Sequence, residues 1–205
     1  MNIIDLLNKL DQLSAWRKKE LSQAQFLAEN SKSKDARRYL CRVWVLIMYA
    51  HCDNFLKEAT RTYLEYLKKN ISIINNYKYE LMWLVIRGKN NIIAEDKYKS
   101  LQDYVIGNED LYFEESLIKE ILNKGSFKYS MLRYYCDWVL QINLDHKNLR
   151  DFCERLKEKR DSIAHGEESY VEFPSDCLPW HKKTISFIDI LKDCIMESAK
   201  SVIRI

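Results

Sequence analysis

Turn-forming residues are scarce in this chain: it has 4 glycines and 2 prolines in 205 residues. So few breakers argue against a fold of many short strands, and the abundance of Leu, Lys, Glu, Ile and Tyr favours long helices. The expectation is an all-α fold in a single domain, since this length suits one core. Long apolar runs are lacking as well. The longest, "VWVLIMYA" from Val43 to Ala50, falls far short of the roughly 20 residues that cross a bilayer, so no membrane anchor is expected.

Paired cysteine motifs are also missing. Six cysteines (Cys41, Cys52, Cys136, Cys153, Cys177 and Cys194) are spread widely among mostly apolar neighbours without a C-x-x-C. The opening "MNIIDLLNKLDQL" carries acidic residues inside its first apolar turns and no small-residue cleavage site, so it does not read as a secretory signal. Together these features predict reduced, buried thiols in a cytoplasmic protein rather than a disulfide framework. Cys177-x-x-x-His181 has residue types that zinc accepts, with His146, Cys153 and His165 as further candidate ligands. Structural zinc sites usually bring two close-spaced pairs and a second pair is lacking, so neither a metal nor another cofactor is expected.

Net charge is +3, and its distribution says more than its total. Residues 1–70 carry 13 Lys/Arg against 8 Asp/Glu, residues 71–125 carry 7 against 9, and residues 126–205 carry 13 against 13. The basic excess on the first helices is compatible with nucleic acid and equally with a solvated helix face.

Apolar periodicity places the helices. Ile3, Leu6, Leu7, Leu10, Leu13, Trp16, Leu21, Ala24 and Leu27 make roughly one stripe over residues 2–29. Ser33 is the expected N-cap of a second helix from about Asp35 to Lys69, whose middle is apolar almost all round and therefore belongs at the centre of a bundle. Residues 70–124 contain "NNYKYE", "IRGKNN" and "VIGNEDLYFEE", turn signals and short apolar patches that read as an excursion joining the two halves of an up-and-down bundle. Beyond Gly125, "SMLRYYCDWVLQI" is helical and "NLDH" is a turn with Asp145 near a cap. Leu149, Phe152, Cys153, Leu156 and Ile163 stripe a helix that Gly166 stops. The connection "SYVEFPSDCLP", with a place for a brief strand, then leads into a last helix from about Trp180 to Val202, striped by Ile188, Leu191, Ile195, Ala199 and Val202.

The stretch "EKRDSIAHGEES" (158–169) departs from this solvated pattern. It sets Arg160 and His165 at the end of a charged helix, just before the stop. One reading is a cap: the helix dipole favours a histidine in the last turn, and Arg160 can pair with Glu158, Asp161 or Glu167. Shuffling 11 Arg and 4 His over 205 positions gives roughly 0.2 such spacings per chain, so the spacing alone is weak. The small residues of "SIA" favour the other reading, because they leave room for a substrate or a second backbone. Cleavage of RNA by its own 2′-hydroxyl needs one proton taken, one given, and charge compensated on the phosphate. Imidazole does the first two near neutral pH, and a guanidinium fork does the third without a metal. Five helical residues turn about 500°, leaving the pair roughly 140° apart, so they converge only if the helix unwinds at its end or a second copy contributes.

These residues resemble the HEPN superfamily, all-α domains marked by Arg-x-x-x-x-His at a helix end, many of them metal-independent endoribonucleases. "LRDFCERLKEKRDSIAHGE" (149–167) looks like the motif helix of stand-alone, toxin-like members, and "YLCRVWVLIMYAHCDNFLKEATRTYLEYL" (39–67) is similar to their central helix. The resemblance implies that Arg160 and His165 are catalytic, that Asp53 is an auxiliary polar residue facing them, and that two copies meet in a shared cleft. It implies an RNA substrate, a homodimer, an antitoxin as a candidate protein partner, and a role as toxin or defence effector. The family commonly has asparagine after the arginine; Asp161 stands there, a second auxiliary candidate whose charge disfavours a nearby phosphate unless it turns toward Arg160 or a backbone N–H. Some members carry a modified tyrosine two residues after the histidine, where this chain has Glu167. The rival expectation is a catalytically silent module that binds RNA or a protein. Asp53 and Lys57 also form an ordinary i, i+4 pair, and His51 reads as a core histidine.

Overall fold

A computed structural model describes residues 1–70, 115–123, 125–142, 144, 146–167 and 171–202. The described chain is helical with no strand: α1 (Ile3–Asn30), α2 (Lys34–Asn70), α3 (Glu115–Leu122), α4 (Tyr129–Arg133, continuing as π-helix through Tyr134–Leu140), α5 (His146–Ala164) and α6 (Pro174–Val202). The expected all-α bundle is what forms. The segment 70–124, read as an excursion, falls mostly on 71–114, which lie outside the described residues, as does Asp145.

Local chemistry accounts for the helix ends. Asn2 and Asp5 form a reciprocal capping box on α1, each side chain accepting from the other's backbone N–H at 2.9 Å. Ser33 caps α2 as the sequence predicts, its hydroxyl accepting from Ala36 N–H at 3.4 Å. The last helix begins earlier than expected, at Pro174 rather than near Trp180. Proline suits a first helical position, and the Asp176 carboxylate accepts from the N–H groups of Glu172 and Phe173. Pro179 stands inside the helix, and the "SYVEFPSDCLP" segment shows no strand among its described residues.

Helix α2, about 55 Å long, packs against α1, α3, the π-helical turn, α5 and α6. Its buried residues include Trp44, Val45, Met48, Cys52, Phe55, Tyr63 and Tyr66, so it is the central helix that its all-round apolar middle predicts. Five of the six free cysteines are buried, and burial pushes the Cys153 thiol up to about 12. Phe127, Phe152 and Phe187 pack together under α5 and α6, with ring centroids 5.4–6.4 Å apart.

The buried face of α1 differs from the expected stripe. Leu6, Leu10, Ser14, Arg17, Leu21 and Ala28 are buried, while Leu7, Trp16 and Leu27 are exposed. Arg17 is 2 % exposed and partly satisfied: its Nη1 donates to Leu13 O at 2.7 Å and the guanidinium lies over the rings of Trp16 (4.4 Å) and Phe55 (5.6 Å), while Nε has no hydrogen-bond partner among the described residues. Burial lowers its pKa, with the Glu58 charge opposing. His51 is a core histidine, with Nε2 2.9 Å from Glu20 and the Trp16 ring at its edge.

Trp44 joins α2 to α6 by donating its indole N–H to Nδ1 of His181 at 3.2 Å. Burial holds the His181 pKa below its ordinary value of about 6.5, with Glu29 opposing. A lowered folded-state pKa means that the unfolded chain binds the proton more readily, so stability falls as pH drops below about 6.5. Thermal melts at pH 7.5 and 5.5 should therefore show a Tm drop that shrinks in His181→Asn, whose amide oxygen still accepts from Trp44. An identical drop in both proteins would assign the acid sensitivity to other groups.

Candidate active site

Helix α5 ends by a specific device. Gly166 takes φ +75°, its N–H donates to Ile163 O at 3.2 Å, and Glu167 N–H donates to Ser162 O at 3.0 Å. This pair of bonds is a Schellman motif, with His165 as the last residue before the reversal. The helix thus stops at Ala164, and the His165 side chain is exposed. The sequence reading of Gly166 as the stop holds.

The chain leaving this turn is tied to α2. Arg42 Nη2 donates to Glu167 O at 3.0 Å, and Arg38 lies 3.6 Å from the Glu172 carboxylate. The sequence reading overlooked Arg42; a cation within the apolar flank "LCRVWV" of a central helix was the available signal.

Arg160, one turn before the stop, faces α2. Its guanidinium lies 5.0 Å from the Tyr49 ring centroid and donates to Asp161 at 2.7 Å. Lys157 pairs with the same carboxylate. Hydrogen bonds from Lys157 first and Arg160 second hold Asp161 below the usual carboxylate range. Asp161 therefore turns toward Arg160, one of the two orientations that the sequence reading allowed it.

Asp53 is half-buried on α2 and pairs with Lys57 at 2.8 Å, the ordinary i, i+4 pair. It also stands one helical turn beyond Tyr49. The Tyr49 hydroxyl donates to Phe127 O at 3.0 Å, and burial raises its pKa. A Ser126 hydrogen bond and the Arg160 charge oppose that rise, while the charges of Asp53 and Asp161 add to it. Tyr49 thus carries Arg160 over its ring across the helix pair, with Asp53 one turn further along its own helix. Sequence reasoning missed it, although its i, i+4 spacing to Asp53 was visible.

No hydrogen bond joins Arg160 to His165 among the described residues. His165 lies instead in an open groove with Lys157, Asp161, Ser162, Glu167 and Trp180. The helix unwinds at Ala164–His165, one of the two routes the helical angle left open, and Arg160 is not among the residues that line this groove. Among the described residues no cluster of three or more His, Cys, Asp or Glu has metal-holding geometry, and no helix is long and apolar enough to cross a membrane. Cys177 and His181 are committed elsewhere, to Cys41 O and Trp44 respectively.

Comparison with known proteins agrees with this architecture. Neither the curated proteins nor the solved structures give a match. A family model described as MAE_28990-like HEPN matches residues 6–202, nearly the whole chain, and spans both the central helix and the helix carrying Arg160 and His165. The chain belongs to the HEPN family.

Proposed function

We propose that the protein is a metal-independent endoribonuclease that cleaves RNA by attack of the 2′-hydroxyl on the adjacent phosphate. His165 transfers the protons, Arg160 holds the phosphate oxygens, and the 5′-oxygen leaves, giving 2′,3′-cyclic phosphate ends. Asp53 and Asp161 are auxiliary: Asp53 adds a negative charge one turn from Tyr49, and Asp161 is the carboxylate that holds Arg160 until a phosphate takes its place. A homodimer would bring two copies of Arg160 and His165 into one shared cleft. A toxin or defence effector in the cytoplasm, restrained by an antitoxin protein, is the setting this reading favours.

The observation that carries the reading is the Schellman turn, which leaves His165 exposed in an open groove while the next turn back holds Arg160. Family membership supports a nuclease-like or RNA-related role at a coarser level. The test is incubation of total RNA with the parent and His165→Ala in excess EDTA. The parent should cleave, and the variant should be slower by about 100-fold or more, the scale of a general acid–base group. Equal rates in the two proteins would remove His165 from the chemistry.

One observation favours a second reading, a catalytically silent module that binds RNA or a protein. Arg160 is already engaged by Asp161 at 2.7 Å, so a phosphate must compete with a fixed carboxylate. Binding of RNA without cleavage, unchanged by His165→Ala, would support it.

A further inference from the structure

The groove that holds His165 is also lined by Trp180, a residue that the proposed chemistry does not use. It is partly exposed and lines the groove from α6, whereas most of the other lining residues come from α5. Its ring stacks on Phe152 with an interplanar angle of 22° and centroids 6.3 Å apart. That contact, backed by Phe127 and Phe187, fixes the plane of the indole. Lys159 Nζ lies 5.9 Å and Lys183 Nζ 6.0 Å from the ring centroid, one from each helix.

Resting on the ribonuclease reading, the geometry points to a nucleotide subsite at Trp180: an unpaired base of a single-stranded RNA stacks on the indole while Lys159 and Lys183 hold its flanking phosphate. A planar π-surface of fixed orientation recognises a base of any identity, and only an unpaired base exposes its face. The charges of the groove select a base rather than a bare run of phosphates. Glu154, Glu158, Asp161 and Glu167 stand beside Arg155, Lys157 and Lys159, so there is no continuous cationic track. The two lysines at the indole are the local exception, and stacking tolerates the surrounding carboxylates because the base carries no charge. A nucleotide held there lies in the groove that contains His165, which sets the register of the strand against the reacting phosphate.

The test uses a single-stranded 2′-O-methyl oligonucleotide, which cannot be cut by its own hydroxyl, and reads binding by fluorescence anisotropy. Trp180→Ala should weaken binding by about tenfold, Trp180→Phe by less, and the exposed Lys183→Gln should weaken it a few-fold and reduce its salt dependence. Affinity for a 2′-O-methyl duplex should not change. Circular dichroism checks the fold, and Lys183→Gln decides the matter if Trp180→Ala unfolds. Parent-like binding in Trp180→Ala and Lys183→Gln overturns the subsite and assigns Trp180 to packing or to a protein contact, as does a parent that binds no single strand. The two readings fail separately: cleavage by the parent with no dependence on these residues sinks the subsite alone, whereas Trp180-dependent binding without cleavage sinks the nuclease alone.

Discussion

Replacing Arg160 with alanine should lower the rate of RNA cleavage by about 100-fold or more while leaving the fold in place. The rate follows from the role proposed for the guanidinium: removing one preorganised donor from a charge-developing site typically costs about 10²–10³ in rate. The fold survives because Arg160 is substantially exposed, 41 % by side chain, where a cation over a ring and a solvent-screened ion pair contribute together only about 1 kcal/mol. Lysine should rescue little, since its point charge cannot reproduce a planar fork on two phosphate oxygens. Asp161→Asn in the same assay should go the other way and raise the rate, because it frees Arg160 from a fixed carboxylate. Single-turnover cleavage beside thermal melts would separate the effects. A rate in Arg160→Ala within a few-fold of the parent would contradict the phosphate-binding role.

The largest effect on stability belongs to Trp44. It is fully buried, edge-on to the His181 ring at 5.3 Å, and joined to it by a hydrogen bond. Trp44→Ala should cost about 3–5 kcal/mol through lost burial and the cavity left behind. Set against a total of about 5–15 kcal/mol for a domain, that is a large share. The urea midpoint should fall by about 2 M with an unchanged slope. Trp44→Phe should lie between, since it keeps most of the ring but leaves Nδ1 of His181 without its donor, at about 1–3 kcal/mol. A shift below about 0.5 M for the alanine variant would mean that the α2–α6 contact is not where stability resides.

Much of the architecture was legible because it follows from one-dimensional signals. The all-round apolar middle of α2, the Ser33 cap and the Gly166 stop each depend on residues close in sequence, and each stands where expected. The buried face of α1 was not. Arg17 reads as polar, but its stem and guanidinium pack between Trp16 and Phe55, and only the tertiary partner on α2 makes that burial tolerable. Trp16 and Leu27 read as core and lie exposed, because the packed row runs through Leu6, Leu10, Ser14, Arg17 and Leu21. The π-helical turn at Tyr134–Leu140 leaves no periodic signature, since the same residues satisfy an α pattern.

The candidate site divides in the same way. Arg160 and His165 were singled out by their place at the end of a charged helix together with the family resemblance, and Asp161 by its departure from that resemblance. Tyr49 and Arg42 were not singled out, because their contacts with Arg160 and Glu167 each reach across more than a hundred residues of chain. The sequence names the groups that carry charge, while the fold supplies the ring beneath Arg160 and the clamp on the chain after His165.

The turn after His165 has a consequence for what residue 166 must be. An ideal Cβ built on Gly166 meets nothing within 4 Å, so the glycine is not there to save room. It is there for handedness: at φ +75° an L-residue strains against its own backbone by about 1 kcal/mol or more, whereas an achiral residue does not. A D-alanine, fitted by chemical ligation, would be accepted where its mirror image is not. The direction in which His165 enters the groove is thus encoded in the absence of a stereocentre one residue further along.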